Sequence, residues 1–137
     1  MDASTDCISV GEQVHEATER DLGVGHAWAL RRELERLKAD LQDAECLRVL
    51  DIAGAPVAGG LLAITDRRLI YLRKRVGLPI MKRLEAPLSA IEDVRVEKSI
   101  TNVMTVTVVA GGSRRIQLNL KRSLNYERVI QALQPSR

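Results

Sequence analysis

The spacing of apolar residues along the chain changes character near residue 45. Upstream they recur every three or four positions, the period of a helix; downstream they alternate, the period of a strand. Ser9 followed by Glu12 forms a capping box, after which Val10, Val14 and Ala17 share one face and Gly23 suits a left-handed helix end. This predicts a helix over residues 10–22. Ala27, Leu30, Leu34, Leu37, Leu41 and Ala44 follow at spacings of 3, 4, 3, 4 and 3, predicting a second helix over 26–44. Its stripe of Leu30, Leu34, Leu37 and Leu41 is under three heptads long. Two uses of that stripe stay open: docking on the chain's own domain, or forming the seam of a homo-oligomer.

From Glu45 onward seven short strands are expected. Leu47–Ile52 begins the series, and Leu61–Ile64 and Leu69–Leu72 are joined at Thr65-Asp66-Arg67-Arg68, a tight polar hairpin connection. Ile80–Leu84, the segment holding Ile91, Val94 and Val96, Val103–Val109 and Ile116–Leu120 complete the set, with Gly111-Gly112 turning between the last two. Ser123 is a candidate N-cap for a closing helix whose Tyr126, Val129, Ile130 and Leu133 fall at i, i+3, i+4 and i+7. The fold class is α+β, mainly β: a seven-stranded sandwich or small barrel capped by a C-terminal helix. An acidic helical extension (1–44) precedes this domain (45–134), with a hinge expected at Ala44–Cys46.

Within the domain, Gly60-Leu61-Leu62-Ala63-Ile64-Thr65-Asp66-Arg67-Arg68-Leu69-Ile70-Tyr71 resembles the second-to-third strand signature of bacterial PH-domain proteins. Pro87-Leu88-Ser89-Ala90-Ile91-Glu92-Asp93-Val94 resembles the segment by which that family enters its fifth strand. Gly112-Ser113-Arg114-Arg115-Ile116, with a short helix after it, resembles the family's end. The likeness spans residues 45–134 and is strongest at 60–71; GRAM domains share a similar hairpin and the same superfold. It implies a pleckstrin-homology-like (PH-like) fold, a non-catalytic binding or scaffolding role, and self-association. A fold does not by itself specify a function. The motif residues also have a structural meaning: Gly60 permits close backbone approach, and Asp66 is expected to hold the turn by accepting the N–H groups that follow it.

Charge sharpens the picture. Residues 1–45 carry eleven acids and five bases, residues 46–137 seven acids and sixteen bases, so a net +3 conceals two opposed blocks. Between Arg67 and Leu84 there are seven bases and no acid. Arg73, Lys74, Arg75, Lys82 and Arg83 form the candidate binding patch, and the split points to an acidic protein or peptide partner or to pairing between the blocks. In PH domains the corresponding connection often helps to hold lipid headgroups, so an anionic membrane surface is the alternative partner. The connection 53–59, where such sites usually add cations, carries no charge.

Other chemistry has little to stand on. Phe is absent and Trp28, Tyr71 and Tyr126 are the sole aromatics, too few for stacked base recognition, and no basic recognition helix appears. Specific nucleic-acid binding is not expected. Glu12, His15, Glu16 and Glu19 share a helical face at ligand-like spacing, but a metal site needs a second such face; no metal and no cofactor is expected. There is no nucleophile elbow, phosphate loop or zinc-protease helix, so no enzyme is expected. Cys7 and Cys46 stand 39 positions apart with no C-x-x-C, which leads to an expectation of reduced thiols. No uncharged run is long enough for a membrane span and the first residues are acidic; the expected location is cytoplasmic, or peripheral to a membrane.

Overall fold

A strand covered on both faces reads as a continuous apolar run, while one covered on a single face alternates. The computed structural model contains both kinds, and it describes residues 7–54, 59–74, 81–98, 103–112, 114–121 and 125–134. Seven strands lie among these residues: β1 Leu47–Gly54, β2 Gly59–Thr65, β3 Arg68–Lys74, β4 Met81–Pro87, β5 Ile91–Lys98, β6 Val103–Ala110 and β7 Arg114–Lys121. They form one antiparallel sheet in the order β4-β3-β2-β1-β7-β6-β5. Four helices accompany them: α1 Val10–Ala17, α2 Gly23–Ala29, α3 Arg31–Asp40 and α4 Tyr126–Leu133. Gly111 and Gly112 both take positive φ (58° and 84°) at the β6–β7 turn, which side chains resist and glycine allows.

The sheet separates two apolar cores. On one face α4 places Val129 and Leu133 against Leu62, Ile64, Tyr71, Val106, Val108 and Leu118. On the other, α1 and α3 place Val14, Ala17, Leu34 and Leu37 against Leu50, Leu61, Ala63, Ile70 and Leu72. This double cover explains why β2 and β3 are apolar at successive positions, whereas β6 alternates buried with half-buried residues along its length.

Several expectations meet a different geometry. The 10–22 helix becomes α1 followed by a turn of π-helix, Thr18–Leu22, and Gly23 takes φ 80° where a helix end was anticipated. The 26–44 helix breaks at Leu30 and ends at Asp40, with Leu41 extended. Leu30, Leu34, Leu37 and Leu41 are all buried in the second core, so the stripe faces the chain's own sheet and none of it is left on the surface as a seam. Ser123 lies outside the described residues, and Asn125 occupies the N-cap position of α4. The expected hinge is instead a tight turn in which Ala44 adopts φ 67°.

The two cysteines are joined, correcting the expectation of free thiols. Sequence spacing gave no hint because the bond depends on tertiary return: the chain ahead of α1 comes back to the start of β1, bringing the two Cα atoms within 5.7 Å. Gln13 secures the same junction. Its amide donates to the Ile8 and Glu45 carbonyls, and its oxygen accepts the Leu47 N–H at 2.7 Å.

Candidate binding surface

Strand pairing determines which members of the basic patch meet. In the β3–β4 register Leu72 lies opposite Arg83, Arg73 opposite Lys82, and Lys74 opposite Met81. Four basic positions up to ten apart in sequence thus fall at one end of the sheet's β4 edge, Arg73 and Lys82 at positions of one face and Lys74 and Arg83 at positions of the other. Arg75 lies outside the described residues. Arg73 is half-buried beside Tyr71, whose phenol is pushed up by burial against the opposing pull of that guanidinium. Gly60 underlies this end: a Cβ there would meet the Tyr71 hydroxyl at 2.6 Å and the Leu72 carbonyl at 2.8 Å. The close approach expected at Gly60 is therefore present.

The other motif residues anchor the β2–β3 hairpin to the extension. Thr65, not Asp66, makes the turn, its hydroxyl oxygen accepting the N–H groups of Arg67 and Arg68 at 3.0 Å each. Asp66 instead accepts the Cys46 N–H at 2.9 Å, tying the turn to the entry of β1. Arg67 reaches Gln42, and Arg68 is the hub. Its guanidinium donates to both Glu45 oxygens (2.9 Å each), to Glu85 (3.0 Å) and to the Asp40 carbonyl (2.7 Å). Burial alone would raise the Glu45 carboxyl. The hydrogen bonds from Arg68, the Gln42 N–H and the Thr65 hydroxyl outweigh it and bring the group to about 2.

A second polar cluster, unforeseen from the sequence, joins the extension, β1 and α4. Asp21, its side chain fully buried, accepts from Arg20, from Arg128 and from the Leu50 N–H at 2.9 Å. Asn125 donates to the Asp21 and Leu50 carbonyls. Burial opposes ionisation of Asp21, but these donors hold its carboxyl below the usual range. Neighbouring Asp51 has too few donors. Burial, with the Asp21 charge adding to it, pushes it up to about 6 against the Ile52 and Asn125 N–H groups. The single signal for this cluster was an acid, Asp51, placed within the apolar run Val49–Ala53 of β1. The two charge blocks therefore pair through Glu45–Arg68 and Asp21–Arg128.

The remaining features offer less. A cleft of about 640 Å³ between α4 and the start of β5, lined by Leu88, Ile91 and Leu133, has Arg48 and Asp66 as its charged members, which offset each other. His15 pairs with Glu19, and His26 lies against the Leu22 carbonyl, so the two histidines serve separate local contacts. Among the described residues no cluster of His, Cys, Asp and Glu has the arrangement to hold a metal, and no helix is long and apolar enough to cross a membrane.

No family model matches the chain, and no curated protein matches it. A solved structure does: the crystal structure of a pleckstrin homology domain from Shewanella amazonensis SB2B, with a TM-score of 0.56 and 19% identity. The match covers 77% of this chain and 85% of that one. The chain has a PH-like fold. At this identity the likeness speaks for the fold alone.

Proposed function

We propose that this PH-like chain is a non-catalytic binding module that docks an acidic peptide or protein segment at the cationic end of β3 and β4. One observation supports the reading: in the β3–β4 register Arg73 stands directly opposite Lys82, with Lys74 and Arg83 at the adjacent positions of the same strand ends. Self-association through the leucine stripe is no part of the reading, because those side chains are buried.

A fluorescent peptide rich in Asp and Glu is the probe. Fluorescence anisotropy should give binding that weakens as salt screens the charges. Lys82→Glu combined with Arg83→Glu should abolish it while leaving the melting curve close to wild type. Binding unchanged by the double reversal would refute the assignment.

A further inference from the structure

Among the four helices, α2 is the one that buries none of its residues. It displays Val24, 90% exposed, and Trp28, 68% exposed, one helical turn apart on the same face. A large apolar pair left in solvent on adjoining turns is unlike the scattered exposure normal for a globular surface. The exposed charges on α2 and the first two residues of α3 are basic, His26, Arg31 and Arg32, with the flanking Asp21 and Glu33 buried; Glu35 is an exposed carboxylate beside Arg31. Arg31 lies over the Trp28 ring, its guanidinium carbon 4.1 Å from the ring centroid.

The position of α3 adds a second observation. Arg68 at the start of β3 holds the Asp40 carbonyl at the end of α3, and Leu34 and Leu37 share a core with Ile70 and Leu72. The helix thus runs antiparallel to the strand, and its first turn, Arg31 and Arg32, points toward the Leu72–Lys74 end. Glu33 acts electrostatically on Tyr71, consistent with this placement. The basic first turn of α3, next to α2, therefore lies toward the end of β3 that carries Arg73.

We propose that α2 contacts an anionic lipid surface, with Val24 and Trp28 entering the headgroup region and Arg31 and Arg32 pairing with lipid phosphates. Tryptophan's amphipathic ring suits the headgroup level of a bilayer, and arginine pairs there with phosphate while its stem stays in apolar surroundings. A protruding pair fits a soft interface that closes around it. A second copy of this chain is a poorer occupant: a two-fold contact on this face would bring Arg31 and Arg32 against their own counterparts. Two side chains also fall far short of the roughly 800 Å² per partner of a standard interface. The proposal places the contact in the helical extension and stands independently of the peptide-binding reading.

Trp28 is the chain's single tryptophan, so its emission reports on this contact alone. The full chain is titrated with vesicles of phosphatidylcholine, with and without a third of phosphatidylglycerol, and with brominated lipid as a quencher. The expected result is a blue shift and bromine quenching on anionic vesicles only, reversed by salt. Arg31→Gln with Arg32→Gln should weaken binding at least about tenfold, and Val24→Ser, which keeps the reporter, should weaken it severalfold. Both variants should melt with the wild type, since every altered side chain is exposed. Vesicle binding with Trp28 unquenched would overturn the proposal in favour of contact elsewhere. Equal binding to neutral vesicles, no binding at all, or a lipid-free Trp28 shift that grows with protein concentration would overturn it too, the last in favour of a contact between copies.

Discussion

Replacing Arg68 with Met keeps the bulk of the side chain and removes every hydrogen bond that its guanidinium donates. The Glu45 side chain has no exposure to solvent, so its carboxylate would keep only the Thr65 hydroxyl (2.7 Å) and the Gln42 N–H (3.0 Å). Stranding a buried charge in this way costs about 3–5 kcal/mol, a large share of a small domain's stability. The pH dependence identifies the cause. In the wild type the Glu45 carboxyl, depressed to about 2, contributes stability that is present above its ordinary 4.5 and is lost as pH falls through 2. Without Arg68 that carboxyl rises and Glu45 protonates readily, so the deficit of the variant should shrink at pH 4 relative to pH 7. Urea unfolding at both pH values measures it, and adding Glu45→Gln to the variant should recover part of the loss at pH 7. A deficit under 1 kcal/mol, or one equal at the two pH values, would refute the assignment of a desolvated ionic hub.

Three further outcomes are expected. Ala44 holds φ 67°, where a non-glycine residue is strained by about 1–2 kcal/mol; Ala44→Gly should raise stability by somewhat less, after the greater freedom of glycine in the unfolded chain, as read by thermal melts. Asp51, raised to about 6 in the fold, favours folding in its protonated form, so its stability contribution is intact below its ordinary 3.8 and falls as pH rises toward 6; Asp51→Asn should stabilise by up to about 3 kcal/mol at pH 7 and by almost nothing at pH 4 in urea titrations. The Cys7–Cys46 bond closes a loop across 39 positions, so reductant or Cys7→Ser should lower stability by up to about 4 kcal/mol on loop entropy, and alkylation without reductant should label neither thiol.

Much of the fold was legible because its signals are local. Alternation in β6 and β7, the glycine pair at 111–112 and the Ser9–Glu12 cap each depend on a few neighbouring residues, and each is present. Ser9 does accept the Glu12 N–H, although its own hydroxyl donates back to the Glu12 carboxylate. The role of the leucine stripe was not legible from spacing, since a heptad serves an internal or an external partner equally. A clue lay in β2 and β3: Gly60-Leu61-Leu62-Ala63-Ile64 lacks a solvent face and therefore requires cover on both sides, and the extension supplies it.

The basic patch was legible as charge, but its geometry was not, because only the β3–β4 register brings Arg73 opposite Lys82. The hub and the Asp21 cluster escaped for a related reason. Glu45, Asp21 and Arg128 look like ordinary solvated charges, and each is buried or paired by an element distant in sequence. Asp66 and Thr65 are both residue types that hold turns, and spacing does not tell which of the two does so here. The tie of Asp66 to Cys46 joins the hairpin to the entry of β1, between positions 20 apart in sequence.

Backbone amide shifts of the labelled full chain, followed during titration with the acidic peptide, test the central claim most directly. The account predicts the largest changes at Leu72–Lys74 and Met81–Arg83, fading with added salt and absent in the Lys82→Glu, Arg83→Glu variant. Changes centred on the cleft at Leu88, Ile91 and Leu133, or none at any salt concentration, would contradict it.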